Sequence, residues 1–219
     1  MARKIITLTT DYGLKDSYVA QMKGVICSIN PDAHVIDISH EVAGHDLLEA
    51  AFLIGSAFQY FPKRTIHVVI VDPGVGTKRK PLLVSTEGYY LIGPDNGVFS
   101  FVYLADRVTQ VFELTATHYF RTEISQTFHG RDIFAPCAAW LSKGQNAVDF
   151  GEPLQNYTKL SIPKPSLAGK AVKGLVLHID RFGNLITNIA LKDLYALMKK
   201  AGAQRIKAVI QGKEIPGLA

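Results

Sequence analysis

Residues 65–79 read Thr65-Ile66-His67-Val68-Val69-Ile70-Val71-Asp72-Pro73-Gly74-Val75-Gly76-Thr77-Lys78-Arg79. The first seven form a continuous, largely β-branched run, which predicts a strand over Thr65–Val71. Asp72 ends that run. Pro73 and the two glycines after it predict a tight loop whose backbone can approach a ligand closely. Similar runs flank this one, predicting strands over Ile5–Thr9, His34–Ile38, Leu82–Thr86, Tyr89–Ile92 and Gln110–Glu113. Longer amphipathic stretches predict helices over Ser17–Ile29, Asp46–Tyr60, Phe99–Leu104 and Ile133–Ser142. Ser17 is placed to cap the first helix. Asp46 is placed to cap a run with apolar residues at Leu47, Leu48, Ala51, Ile54 and Phe58. Strands alternating with helices over residues 1–160 predict an α/β layered domain with a mostly parallel sheet.

Residues 161–170 carry two prolines and a glycine with little periodicity, which predicts a linker. Residues 171–219 add strand-like runs at Gly174–Ile179, Leu185–Ile189 and Ile206–Gln211, with a short helix at Lys192–Lys200. That pattern is the beginning of a small β-rich domain, and it stops at Pro216-Gly217-Leu218-Ala219.

The chain has 219 residues, 47% of them hydrophobic and 20% charged, enough to bury a core and unlike a disordered segment. Its net charge of +5 is modest, and the densest basic runs, Lys78-Arg79-Lys80 and Lys199-Lys200, have no interleaved aromatics. A solvated basic face is therefore expected rather than a nucleic-acid partner. No apolar run approaches the ~20 residues of a membrane span, so no membrane partner is expected. Met1-Ala2-Arg3-Lys4 leads straight into a strand, which predicts no signal peptide and a cytoplasmic, thiol-reducing location. Cys27 and Cys137 match no metal or redox spacing. Both sit among apolar neighbours and are expected to be small buried hydrophobes. Neither a metal site nor a cofactor is expected.

Four clusters fall at the ends of strand-like runs, where α/β proteins place ligands. In Thr10-Asp11-Tyr12-Gly13-Leu14-Lys15-Asp16, two carboxylates flank a turn before a helix. Turn chemistry and capping would explain them as well as a ligand would. Read as a binding site, Asp11 suits a diol such as the ribose hydroxyls, and Asp16 suits an ammonium. In the second cluster Asp72 stands at a strand tip, and Arg79, seven residues on, can fold back over it. The glycines there lack phosphate-loop spacing. Such a pair could be a turn-stabilising surface ion pair, worth only about 0–1 kcal/mol. The third cluster is Gln126-Thr127-Phe128-His129-Gly130-Arg131-Asp132. It holds a histidine at a helix entrance, and Asp132 is expected to serve only as the N-cap. The fourth is Asp180-Arg181-Phe182-Gly183-Asn184, which reads either as a β-turn or as a purine site built on an exposed phenylalanine.

Together, TDYG, DPGVGTKR, GPDNG, TFHGRD and DRFGN resemble the S-adenosyl-L-methionine hydrolases (SAM hydroxide adenosyltransferases), relatives of the fluorinases and chlorinases. The resemblance runs from Thr9 to about Asn188. It implies a homotrimer with active sites between subunits, each protomer having an α/β domain and a smaller C-terminal β-barrel. It also implies that Asp72, Arg79 and His129 form the catalytic triad for a water nucleophile. Asp11 would hold the ribose hydroxyls, Asp16 the methionine ammonium, and Thr127 and Phe128 would line the region around C5′. Phe182 and Asn184 of a neighbouring protomer would hold adenine, and Asp180 would face the amino acid. In the fluorinase pattern a tyrosine replaces the aspartate, so the charge on Asp72 favours water over halide. The family continues with further barrel strands, and the resemblance therefore implies an incomplete barrel here.

The implied reaction is attack by water at C5′ of a sulfonium, releasing adenosine and L-methionine. The departing thioether is neutral and needs no general acid. Water is the poor reactant, and a positioned general base contributes roughly 10²–10⁴-fold. Two other readings compete: a non-catalytic adenosine- or S-adenosyl-L-methionine-binding protein, and a halide-dependent adenosyl transferase.

Overall fold

The β-branched runs form strands throughout the computed structural model, which describes residues 4–169, 171–202 and 205–215. The chain divides after Leu160 into two units. The first contains, in order, β1 (Ile5–Thr10), α1 (Tyr18–Ile29), β2 (His34–Ser39), α2 (Leu47–Ala57), β3 (Ile66–Ile70), β4 (Pro81–Thr86), β5 (Tyr90–Pro94), α3 (Ser100–Ala105), β6 (Val108–Leu114), α4 (Ala135–Ser142) and β7 (Gly151–Pro153).

These strands build a seven-stranded sheet in the order β2-β1-β3-β5-β4-β6-β7. Neighbours among β2, β1, β3 and β5 pair in parallel, while β4 runs against both β5 and β6, and β7 against β6. Five of the seven strands thus point the same way, and the sheet is mostly parallel as expected. The reversal at β4 follows from the short connection to β5. Thr86 N–H donates to Tyr89 O at 2.9 Å, closing a tight hairpin around Glu87-Gly88, and a link that short can join only antiparallel strands.

β3 is buried along its whole length, as a central strand covered on both faces must be. Its residues alternate between two cores. Val68 and Ile70 pack with Met22 and Ile26 of α1 and Ala138 and Ala139 of α4. Val69 and Val71 pack with Ile54 of α2, Phe99 just before α3 and Val102 of α3. Because β2, β1, β3 and β5 are parallel, their C-terminal ends share one edge, which carries Asp11, Asp72 and Asp95-Asn96.

Asp46 caps α2 as expected, accepting from Glu49 N–H at 2.9 Å with an extended backbone (ψ 93°). Ser17 does not cap α1. Its ψ of 3° is not the extended cap conformation, and its hydroxyl accepts instead from Gln21 Nε2 at 2.9 Å. Cys137 is buried as expected, but Cys27 is exposed on α1. Only one face of that helix meets the core.

Among the described residues the second unit contains three two-stranded ladders and a helix. They are β8 (Ser166–Ala168) with β9 (Ala171–Lys173), β10 (Val176–Ile179) with β11 (Leu185–Thr187), α5 (Leu191–Ala201), and β12 (Ala208–Ile210) with β13 (Lys213–Ile215). Ser166–Ala168 lies inside the segment expected to be a linker and forms a strand there. Its partner Ala171–Lys173 was not among the predicted strands either, because runs of three residues are too short to show a period. Lys170 and residues 216–219 lie outside the described residues. No helix among the described residues is long and apolar enough to cross a membrane.

Candidate active site

Asp72 leaves β3 two residues beyond its last paired position. Asn96 Nδ2 donates to Val71 O at 2.8 Å, pinning the strand tip just before the carboxylate. The loop then turns tightly, with Val75 N–H donating to Asp72 O and Thr77 Oγ1 to Gly74 O. This turn brings Arg79 back over Asp72. Arg79 Nε lies 2.8 Å from Asp72 Oδ2, and Nη2 lies 2.5 Å from the same oxygen. Gly76 lets this loop meet the third cluster: at φ +75° it approaches so closely that a Cβ there would stand 2.5 Å from Gln126 O. Two residues beyond Thr127, His129 Nδ1 lies 2.8 Å from Arg79 Nη2. The three residues therefore form one chain of contacts, Asp72–Arg79–His129.

The ion pair is not a surface pair, contrary to the weak turn-stabilising alternative. The Arg79 and Asp72 side chains are only 10% and 6% exposed. Breaking a buried pair by removing one partner costs about 3–5 kcal/mol, because the other charge is left uncompensated. Arg79 can only donate, so His129 Nδ1 must accept, and the proton of the neutral ring is on Nε2. Burial, followed by the charge of Arg79, holds the His129 pKa below its usual value; the negative charges of Asp72 and Asp132 oppose this weakly. The site thus presents a carboxylate acceptor and a neutral imidazole N–H, both steadied by one guanidinium.

His129 enters a π turn over Gly130–Phe134 that runs into α4, a local widening found often at functional sites. Within this turn Asp132 does not act as an N-cap. It is a fully buried carboxylate that accepts from Ser125 N–H at 2.9 Å and Arg131 Nε at 2.7 Å, with Arg121 at 3.4 Å. Burial alone would raise its pKa, but the hydrogen bonds from Arg131 and Ser125 hold it low. Asp132 therefore fastens the loop that displays His129. In the sequence it was indistinguishable from a cap, because two of its partners, Ser125 and Arg121, lie seven and eleven residues upstream.

Asp11 stands on the same sheet edge, 10% exposed, and its Oδ2 accepts from His45 N–H at 3.1 Å. Asp16 is exposed in the turn before α1. Thr127 is exposed beside Ser125, with 3.2 Å between their hydroxyls. Phe128 is only 7% exposed, enclosed by Tyr12, Tyr18 and the Arg131 guanidinium. It packs the floor beneath the loop. Among the described residues no group of three or more His, Cys, Asp or Glu is arranged to hold a metal ion.

Asp180, Phe182 and Asn184 lie together in the second unit, on the turn between β10 and β11. Asp180 Oδ1 accepts from Phe182 N–H at 2.9 Å and Asn184 N–H at 2.8 Å, and Oδ2 accepts from Asn184 Nδ2 at 2.7 Å. The hydrogen bonds from Asn184 hold the Asp180 pKa below its usual value. The carboxylate thus shapes its own turn. Its effect is to display Phe182, which is 89% exposed.

The chain is similar to known proteins over most of its length. The sequence pattern of the SAM hydroxide adenosyltransferase N-terminal domain matches residues 6–151. The chain belongs to the SAM hydroxide adenosyltransferase family. It is 41% identical to the (R)-S-adenosyl-L-methionine hydrolase of Methanocaldococcus jannaschii over 190 residues, covering 84% of this chain and 66% of that protein. It is 38% identical to the enzyme of the same name from Salinispora tropica, covering 82% of this chain and 70% of that one. A fluorinase of Actinoplanes sp. is more distant, at 29% identity, with 90% of this chain and 74% of that protein covered. In structure the chain is similar to a conserved protein of Thermotoga maritima. Their TM-score is 0.88 at 38% identity, over 96% of this chain and 80% of the other.

Proposed function

We propose that this chain hydrolyses S-adenosyl-L-methionine to adenosine and L-methionine, with Asp72, Arg79 and His129 holding the attacking water. The observation that carries the reading is the buried contact chain from Asp72 through Arg79 to His129. In this reading the carboxylate at the edge of the sheet accepts a water proton. A halide would be repelled by the same carboxylate. Attack at C5′ expels a neutral thioether, so neither a metal nor a cofactor is called for. Asp11 binds the ribose hydroxyls in this reading, Asp16 the ammonium, and Thr127 the surroundings of C5′. The names of the hydrolase relatives support the (R) sulfonium epimer as the substrate.

The second unit completes the pocket in this proposal: Phe182 stacks on adenine and Asn184 meets its edge, both from a neighbouring protomer of a homotrimer. A large ring held bare by a tight turn supports that role. Two free cysteines support action in the reducing cytoplasm. The test is to incubate the protein with each sulfonium epimer and separate the products by chromatography. Adenosine and methionine should appear together from the (R) epimer. Thermal stabilisation by adenosine without any product would favour the binding-protein reading instead.

A further inference from the structure

Tyr12 follows Asp11 at the end of β1, and its ring direction is fixed by packing. It stands edge-on to Phe128, with centroids 5.6 Å apart, and leans on Tyr18 at 5.9 Å. These contacts aim the phenol at the backbone of Gly130, the residue after His129. A Cβ on Gly130 would stand 2.6 Å from the Tyr12 oxygen, and 3.3 Å from both Ile70 Cδ1 and Phe128 Cε2. The glycine of the TFHGRD motif therefore makes room for this hydroxyl. Tyr12 uses its backbone N–H on Thr10 Oγ1, but its hydroxyl has no hydrogen-bond partner among the described residues. Burial pushes the phenol pKa well above its usual value, with the charges of Asp11 and Asp72 adding to this and Arg79 opposing. The group stays protonated at neutral pH and is a hydrogen-bonding partner, not a base.

We propose that the Tyr12 hydroxyl is a further arm of the nucleophile site: its oxygen accepts one hydrogen of the attacking water while the Asp72 carboxylate accepts the other. This rests on the hydrolase reading above. A water held by one acceptor swings about that bond, whereas two acceptors leave its lone pair aimed in one direction, and such alignment is a main source of catalytic rate. As the lone pair forms the C5′–O bond, the C5′–S bond breaks and its electron pair goes to sulfur. The proton directed at Asp72 transfers to the carboxylate. The hydrogen directed at Tyr12 remains as that of the adenosine 5′-hydroxyl. A sulfonium and a carboxylate thus become a neutral thioether and a carboxylic acid.

Tyr12→Phe keeps the ring and its packing and removes only the oxygen. Its kcat on S-adenosyl-L-methionine should fall roughly ten- to hundredfold, with KM and melting temperature close to wild type. Wild-type turnover with Tyr12→Phe equally active would overturn the proposal and leave the hydrolase reading standing. A raised KM at unchanged kcat would also overturn it, placing the hydroxyl on the substrate instead of the water. A wild-type protein that makes no adenosine would sink both readings together.

Discussion

Asp72 and Arg79 meet at the end of a strand buried on both faces, their side chains 6% and 10% exposed, whereas Phe182 is 89% exposed at the tip of a two-stranded hairpin. Both regions hold their polar groups with short side-chain hydrogen bonds. In the first, those bonds lie in a low-dielectric setting where charge interactions are strong. In the second, Asp180 orders a turn in full solvent and leaves a large apolar ring uncovered. In the proposed function the contrast separates chemistry from recognition. The sheet edge has what a bond-making step requires, a desolvated and preorganised acceptor. The hairpin presents an exposed ring on a turn ordered by its own hydrogen bonds, which suits stacking on a flat aromatic ligand.

Removing the carboxylate should give the largest effect. Asp72→Asn should lower single-turnover hydrolysis by roughly 10²–10⁴-fold, the scale of a lost general base, while calorimetric affinity for S-adenosyl-L-methionine stays near wild type. Because the pair is buried, the variant should also melt earlier, so rates must be compared below its transition. Near wild-type turnover in folded Asp72→Asn would make the pair purely structural and erase the contrast.

Phe182→Ala should do the reverse. Losing a base–aromatic stack costs about 1–3 kcal/mol, so affinity should weaken about 5- to 150-fold, with an unchanged melting temperature. A variant that binds normally would remove the recognition role of the hairpin.

A third effect belongs to the first unit alone. His67 is buried against Phe58, Phe61 and Tyr89, with Nδ1 2.7 Å from Thr7 Oγ1. Burial lowers its pKa from 6.5 to about 3. Between those values the unfolded chain binds one more proton than the folded one. Stability is therefore fully present above about pH 6.5 and falls as pH drops towards 3, by about 1.4 kcal/mol per pH unit for this residue. Denaturant titrations from pH 7 to 4 should show that slope, and His67→Leu should flatten it. An unchanged slope in the variant would assign the acid sensitivity to other groups.

Strands β1 to β6 were legible because β-branched runs such as Ile66–Ile70 carry their own signal, whereas β7, the three residues Gly151–Pro153, shows none. Alternation with helices gave the mostly parallel sheet, while the place of its antiparallel turn-back, the two residues Glu87-Gly88 between two strand runs, appears only in the structure. Asp72, Arg79 and His129 could each be singled out as strand-tip and turn residues, and the family resemblance grouped them, while their contact chain required the fold. Their burial could not, because it depends on Gly76 packing against Gln126 and on Asn96 clamping Val71. The fastening role of Asp132 and the aim of Tyr12 at Gly130 were hidden for the same reason: each rests on contacts between segments that only the fold brings together. In the second unit β10, β11 and β12 fall within runs legible in the sequence, whereas β8, β9 and β13, three residues each, left too few positions for a pattern.

The central claim is that water, held at the tip of β3, attacks C5′. Incubation with S-adenosyl-L-methionine in ¹⁸O-labelled water, followed by mass spectrometry of the adenosine, tests it most directly. The account predicts one ¹⁸O in the 5′-hydroxyl and none in methionine. Adenosine that forms without the label would contradict it.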